Sequence, residues 1–254
     1  MIAAGRARAL DQQASRRYWE SNLDPQNLGS ARARRDLRRE WAFYFSDEQR
    51  FACSRMPPLR GALCLEIGAG LGAHALWLAA QGAEVVVLDF SGARLAALRR
   101  DAREAGLADR LRCVQGAAEA LPFPPGAFDL IYTKSTLIHT RLAEALAEAN
   151  RALAPAGRAI FVEPLDSNPF ANLYRRFFAP QEWKRITRYF DQDAIRAVES
   201  AFGAVESRPF YWLGFFSFVW QFGWPCLALF RSGQTILRLV DGLLFRLIPP
   251  LRRR

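Results

Sequence analysis

The run Leu65-Glu66-Ile67-Gly68-Ala69-Gly70-Leu71-Gly72 leaves an apolar stretch and enters an alanine-rich one. Glycines at this spacing allow a tight turn and let a ligand approach bare backbone. Asp89 comes 19 residues after Gly70, at the end of the next apolar run. A carboxylate there can accept hydrogen bonds from two ribose hydroxyls. Gly68-x-Gly70-x-x-Ala73 formally meets the dinucleotide pattern, so a nicotinamide-dependent oxidoreductase is one reading. Glu66, two residues ahead of Gly68, points elsewhere: a carboxylate at that position suits a cationic ligand better than a pyrophosphate.

A second group of candidates gathers at Thr133-Lys134-Ser135-Thr136-Leu137-Ile138-His139, where a later apolar run ends. His139 is the candidate catalytic base, because an imidazole ordinarily titrates near neutrality. Glu163 closes the run after that and can contact a substrate, whereas His74 lies in a helical stretch and reads as structural. Other chemistries lack their residues. Cys53, Cys64, Cys113 and Cys226 form no CxxC pair, and with only His74 and His139 beside them no metal site can be written. Neither a Gly-x-Ser-x-Gly elbow nor a Walker loop occurs, so hydrolase and NTPase readings have no support.

The elements that must position these residues alternate. Ala62–Ile67, Glu84–Leu88, Arg110–Gln115, Phe128–Thr133 and Arg158–Glu163 read as strands. Between them, Leu71–Gln81, a segment capped by Ser91 and running to Ala105, and Arg141–Leu153 read as helices, and Pro155-Ala156-Gly157 reads as a turn. Such alternation implies an α/β fold with a doubly wound, mostly parallel sheet. Beyond Glu163 the rhythm breaks. Pro164–Arg188 is irregular or helical, Gln192–Phe202 helical, and Ala204–Phe210 strand-like.

Charge divides the chain in the same way. The 254 residues carry a net charge of +10, with 12 Arg against 7 acids in residues 1–60 and 7 Arg against 2 in residues 204–254. The 61–203 centre balances at 16 of each sign. Three parts follow: a basic helical arm (1–60), a ligand-binding domain (61–209), and an apolar extension (210–254). The arm includes a basic run from Arg32 to Arg39 and the aromatics Trp41, Phe43, Tyr44 and Phe45, which are expected to pack on the domain. No apolar leader follows Met1, so a cytoplasmic location is expected.

Phe210–Phe230 is 21 residues without a charge, long enough to span a bilayer. However, ten of the 21 are aromatic, and Gly214, Gln221, Gly223 and Pro225 interrupt the stretch. Aromatic rings favour the membrane interface over its centre. An amphipathic cationic helix over Gln234–Ile248 and the terminal Arg252-Arg253-Arg254 complete the extension. The combination reads as peripheral attachment to an anionic membrane surface, on the inner face of the cell membrane. The alternative is a cover over the sheet or a substrate pocket.

Taken together, the motifs resemble those of the class I S-adenosylmethionine-dependent methyltransferases of small-molecule type. Glu66-x-Gly68-x-Gly70-x-Gly72 is similar to their first motif and Val87-Leu88-Asp89-Phe90-Ser91 to their second. Gln115–Phe123 and Phe128–Tyr132 resemble the third and fourth, and Leu153-Ala154-Pro155-Ala156-Gly157 the turn before strand five. The resemblance implies a Rossmann-like sheet with S-adenosylmethionine as cofactor. Glu66, Gly68, Ala69, Gly70 and Gly72 would hold the methionine moiety, Asp89 the ribose, and Phe90 the adenine face. Ala118 would offer its backbone N–H to the adenine ring, and Thr133 would face the cofactor from strand four. Ala117 stands where the family often has an Asp, a departure that keeps a non-catalytic scaffold at a membrane or partner surface as an alternative. The Asn/Asp-Pro-Pro-aromatic motif of adenine amino-group methylation is absent, so nucleic acid is not the favoured acceptor. A small, lipophilic acceptor is.

Overall fold

Valine, leucine and isoleucine run almost unbroken through the first strands, as expected of strands covered on both faces. In the computed structural model Leu63–Ile67 (β1), Glu84–Asp89 (β2), Leu111–Gln115 (β3), Phe128–Lys134 (β4) and Leu153–Val162 (β5) form one sheet. All four pairings are parallel and the order is β3-β2-β1-β4-β5. The structure describes residues 12–21, 47–218, 220 and 226–247. The basic run Arg32–Arg39, the aromatics Trp41–Phe45 and the terminal arginines lie outside the described residues, as do Gln221, Gly223, Pro225 and Ile248.

The described helices are Gln12–Ser21 (α1), Asp47–Arg55 (α2), Ala73–Ala80 (α3), Gly92–Glu104 (α4), Leu142–Ala152 (α5), Pro169–Phe178 (α6), Gln181–Ile186 (α7), Gln192–Phe202 (α8) and Leu227–Leu247 (α9). One core joins Cys64, Val85, Val87 and Leu130 of the sheet to Leu76 and Leu78 of α3 and to Leu95 and Leu98 of α4. The other joins Leu65, Ile67, Val86, Leu88 and Ile131 to Ala145, Leu146 and Ala149 of α5, with Ala197 and Val198 of α8 packed behind. Alternate residues of each strand thus face opposite layers. Each fully buried leucine stabilises the fold by roughly 1.5–3 kcal/mol.

Strand order reverses between β1 and β4, whose ends pair at Ile67 and Thr133. Ligands of open α/β sheets bind outside the strand ends at such a switch point. Both candidate groups therefore converge on one crevice.

Three expectations need correction. The helix after the glycine turn begins at Ala73, since Gly72 adopts a left-handed conformation that ends the turn. Strand β5 starts at Leu153, directly after α5, and its pairing jumps from Phe128↔Leu153 to Leu130↔Arg158. The expected Pro155-Ala156-Gly157 turn is the bulge that this jump requires. Ala204–Phe210 forms no strand, because its side chains pair with α2 instead: Glu206 binds Arg55 at 2.7 Å, and Arg208 lies 5.1 Å from the Phe51 ring.

The extension folds back on the domain. Asp241 of α9 accepts the backbone N–H groups of Leu213 (2.8 Å) and Gly214 (3.2 Å), closing the turn Gly214–Phe218 against the helix. Asn168 Nδ2 donates to the carbonyls of Tyr211 and Trp212. Tyr211 has a φ of +62°, and its hydroxyl accepts from the Asp47 N–H (2.7 Å) and from Gln234 Nε2 (3.3 Å) while donating to Glu48. Helix α9 begins at Leu227, seven residues before the expected Gln234. Among the described residues no helix is long and apolar enough to cross a membrane.

Candidate active site

The three glycines of the turn serve different ends. Gly68, at φ +90°, donates to the Leu88 carbonyl, and a Cβ on it would lie 2.2 Å from Thr136 Oγ1. Gly72, at φ +81°, packs so closely on Leu98 that a Cβ would come within 2.6 Å. Gly70 is also left-handed, but a Cβ there would meet nothing within 4 Å. Its bare backbone fronts open space, where a ligand can come close.

Asp89 knots the turn to the end of β2. Its Oδ2 accepts the Ala69 N–H at 2.7 Å and its Oδ1 the Ser91 N–H at 2.8 Å. Each oxygen keeps a further lone pair for a ligand hydroxyl. Burial raises the Asp89 pKa above the ordinary carboxylate value, against the pull of those two N–H groups and of Arg94. Glu66 is 4% exposed, and its Oε2 has no hydrogen-bond partner. Burial, and then the neighbouring Asp89 charge, push its pKa well above the usual range. A buried carboxyl with an unmet oxygen is costly unless a donor or a cation reaches it.

Sequence reasoning missed Arg94. Its Nη1 donates to the Gly70 carbonyl at 2.8 Å, and its guanidinium lies 5.0 Å from the Trp19 ring of α1. Helix α1 thus reaches over the glycine turn, a long-range contact with no local signal.

The β4 side of the crevice is built around Glu163. Its Oε1 accepts from Thr133 Oγ1 (2.8 Å) and from the N–H groups of Thr136 and Leu137 (both 3.1 Å). Oε2 is unpartnered, and burial raises the pKa to about 7. These bonds fix the turn through Ser135 (φ +53°) into the short helical turn Leu137–His139. Thr133 is fully buried, and its hydroxyl donates to Glu163.

His139 sits at the end of that turn. Its Nδ1 lies 2.9 Å from the Ile186 carbonyl, which can only accept, so Nδ1 carries the hydrogen and Nε2 the lone pair. Nε2 is buried without a partner, and burial holds the pKa below the usual imidazole value. Trp19 and Trp183 each place a ring centroid 5.2 Å from the imidazole.

The remaining sequence candidates lie around these two groups. Phe90 follows Asp89, and Gln115 Nε2 holds its carbonyl at 2.9 Å. Ala117 is exposed and Ala118 buried, in a turn closed by Ala120 N–H on the Ala117 carbonyl. His74 is buried beneath the turn, 3.2 Å from the Tyr132 hydroxyl, and belongs to the core.

Comparison with known proteins places this geometry. The methyltransferase domain family matches residues 65–161, from the middle of β1 to the end of β5. Over that matched span, residues 65–161 form a methyltransferase domain of the class I S-adenosylmethionine-dependent type. A demethylmenaquinone methyltransferase of Thermus thermophilus is 40% identical over 119 residues, 45% of this chain and 53% of that protein. A sarcosine/dimethylglycine N-methyltransferase of Aphanothece halophytica is 30% identical over 110 residues, 42% and 40% of the two chains. This chain therefore spans about half the length of the curated relatives it matches. The solved geranyl diphosphate C-methyltransferase of Streptomyces coelicolor shares the fold, with a TM-score of 0.55 at 17% identity over 75% of this chain and 78% of that one.

The methyltransferase residues fit the cofactor. Glu66 Oε2 offers what an ammonium requires, Gly70 leaves room for a ligand to approach the backbone, and Asp89 retains acceptors for a ribose diol. The N-terminus of α3 favours a carboxylate. S-Adenosylmethionine presents all of these groups.

Proposed function

We propose that this methyltransferase methylates a small, lipophilic acceptor from S-adenosylmethionine, with His139 as the base. The cofactor, when bound, supplies an electrophilic methyl group on a sulfonium and departs as the thioether. The observation that carries the assignment is His139 itself: the Ile186 carbonyl fixes one tautomer, leaving a buried, neutral Nε2 free to take an acceptor proton. General bases of this kind contribute roughly a hundred- to ten-thousand-fold to rate. Glu163 orders the backbone that carries His139, and Asp89 orders the glycine turn. Between them the reacting groups are positioned, which is most of what an in-line displacement needs. The aromatic surround excludes water, and the likeness to a demethylmenaquinone methyltransferase supports a lipophilic acceptor.

Titration calorimetry with S-adenosylhomocysteine and with NADH tests the cofactor. S-Adenosylhomocysteine is expected to bind and to raise Tm by ligand linkage. Binding of NADH with no response to S-adenosylhomocysteine would overturn the reading.

We also infer that α9 lays the enzyme on an anionic membrane surface, from which such an acceptor would be drawn. Ile236, Leu239, Leu243 and Leu247 are exposed on this helix beside Arg231 and Arg246. Apolar burial would supply most of the affinity, and each surface arginine about 1 kcal/mol. Co-sedimentation with anionic vesicles should weaken in high salt without vanishing, and Leu239→Asp with Leu243→Asp should abolish it. Equal, negligible pelleting of both proteins would remove the membrane from the proposal.

A further inference from the structure

Two carboxyls share one buried face beneath the glycine turn, and they are unequally supplied with donors. Glu66 of β1 pairs in register with Val87 of β2. Asp89, two residues further along β2, therefore presents its side chain on the same face of the sheet. Asp89 is 7% exposed and receives two backbone N–H groups, one on each oxygen, from Ala69 and Ser91. Glu66 is more deeply buried, and the Ala75 N–H of α3 reaches it. Its Oε2 meets no donor.

The cations near this face are engaged with other groups. Arg94 of α4 bonds the Gly70 carbonyl, lies over Trp19 and lowers the pKa of Asp89. Lys134, at the end of β4, pairs with Glu48 at 3.2 Å. Tyr132, the register partner of Glu66 on β4, places its hydroxyl against Gln49 and against His74 of α3, whose imidazole burial keeps neutral. The charge that bears on Glu66 is therefore that of Asp89, and it has the same sign. Two carboxylates on one buried face repel, and each also forfeits its hydration. Asp89 holds the pair of N–H groups that stabilise an anion, so Glu66 is the one that keeps its proton.

We propose that Glu66 is a neutral acid in the free protein and gives up its proton when the ammonium of the cofactor enters. This rests on the S-adenosylmethionine reading and adds a proton to its binding equilibrium. The carboxyl O–H bond breaks, the proton passes to solvent, and the ammonium balances the new carboxylate; no covalent bond forms between protein and ligand. The buried face thus keeps one net charge throughout, since one positive charge leaves as another arrives. A carboxylate standing ready beforehand would bear the cost of desolvation and the repulsion of Asp89 with nothing to offset them. The sign of the pH dependence follows. While Glu66 is an acid, binding must expel a proton, so affinity rises about tenfold per pH unit and levels off once Glu66 has ionised in the free protein.

The test is titration calorimetry of the full chain with S-adenosylhomocysteine at neutral pH, repeated in buffers of different ionisation enthalpy so that the slope counts protons. About one proton is expected to leave per ligand bound, and affinity should fall about tenfold for each unit by which the pH is lowered. 5′-Methylthioadenosine keeps the ribose that Asp89 would hold but lacks the ammonium, and should bind without release. Glu66→Gln retains an acceptor for the Ala75 N–H and should bind S-adenosylhomocysteine without release. Glu163→Gln, which removes the other buried acid raised to about 7, should leave the release intact. Binding of S-adenosylhomocysteine with no proton released would overturn the proposal. So would release that survives Glu66→Gln or that 5′-methylthioadenosine also provokes, since the proton would then come from another group. If Glu66→Gln folds poorly, the comparison of the two ligands on the wild type decides the matter. Failure of S-adenosylhomocysteine to bind would strike the methyltransferase reading instead. The ligand-free proteins would then still report on the acid: an amide matches a neutral carboxyl, so Glu66→Gln should melt no lower than the wild type at neutral pH, and a fall in Tm would overturn the proposal.

Discussion

The two halves of the crevice are built in opposite ways. The cofactor half is assembled from residues 66–94, a single strand–turn–helix–strand unit tied by Asp89 and by the Arg94 bond to Gly70. The β4 half draws Trp19 from α1, His139 from the short turn after β4, and Trp183 from α7. The first is held by backbone hydrogen bonds and left-handed glycines; the second is held by the hydrogen bonds of Glu163 and His139 and by ring edges.

Substitutions can break this contrast. The largest effect is expected from Gly70→Val: the side chain would enter the open space before the turn in a conformation that disfavours it by roughly 1–3 kcal/mol. Calorimetry should find S-adenosylhomocysteine binding lost while circular dichroism shows the fold retained. Binding that survives would mean that this face of the turn is not the cofactor's. His139→Ala should reverse the pattern, sparing cofactor affinity and slowing turnover roughly a hundred- to ten-thousand-fold. Because burial lowers the pKa of His139, the acid limb of the wild-type rate profile should fall below pH 6.5.

A smaller effect is expected of Asp89→Ala. It removes the ribose acceptor and leaves two buried N–H groups unpaired, each costing roughly 1–3 kcal/mol. S-Adenosylhomocysteine should bind more weakly and Tm should fall; unchanged affinity in the folded variant would remove Asp89 from the site. The mildest is Glu163→Gln. A carboxyl whose folded pKa is raised from 4.5 to about 7 favours the native state below pH 4.5 and loses that contribution as pH rises through 7. Denaturant melts of the wild type should therefore show stability declining across that window. The glutamine variant should flatten the decline while keeping an acceptor for the Thr136 and Leu137 N–H groups.

Legibility followed the same division. The glycine spacing, Asp89 and the alternating runs could be read because strand, turn and helix signals act over a few residues. The parallel sheet follows from them. The partners of Glu163 could not be read, since a carboxyl at a strand end says nothing of the three donors it will meet. Nor could Trp19, which lies 120 residues before His139. The Ala204–Phe210 expectation failed for a related reason: a strand-like stretch needs a free sheet edge, and here its charged residues found α2 first.

Tyr211 ties these regions to the extension. Its hydroxyl joins the start of α2 to α9 through Asp47, Glu48 and Gln234, while Asn168 and Asp241 grip the backbone from Tyr211 to Gly214. Glu48 in turn holds Lys134, the last residue of β4, at 3.2 Å. The extension is thereby a handle rather than a tether. On the proposed membrane contact, the tilt of α9 would pass by these short polar links to the strand end beside the glycine turn, so that the angle at which the chain settled would also set the direction in which that end points.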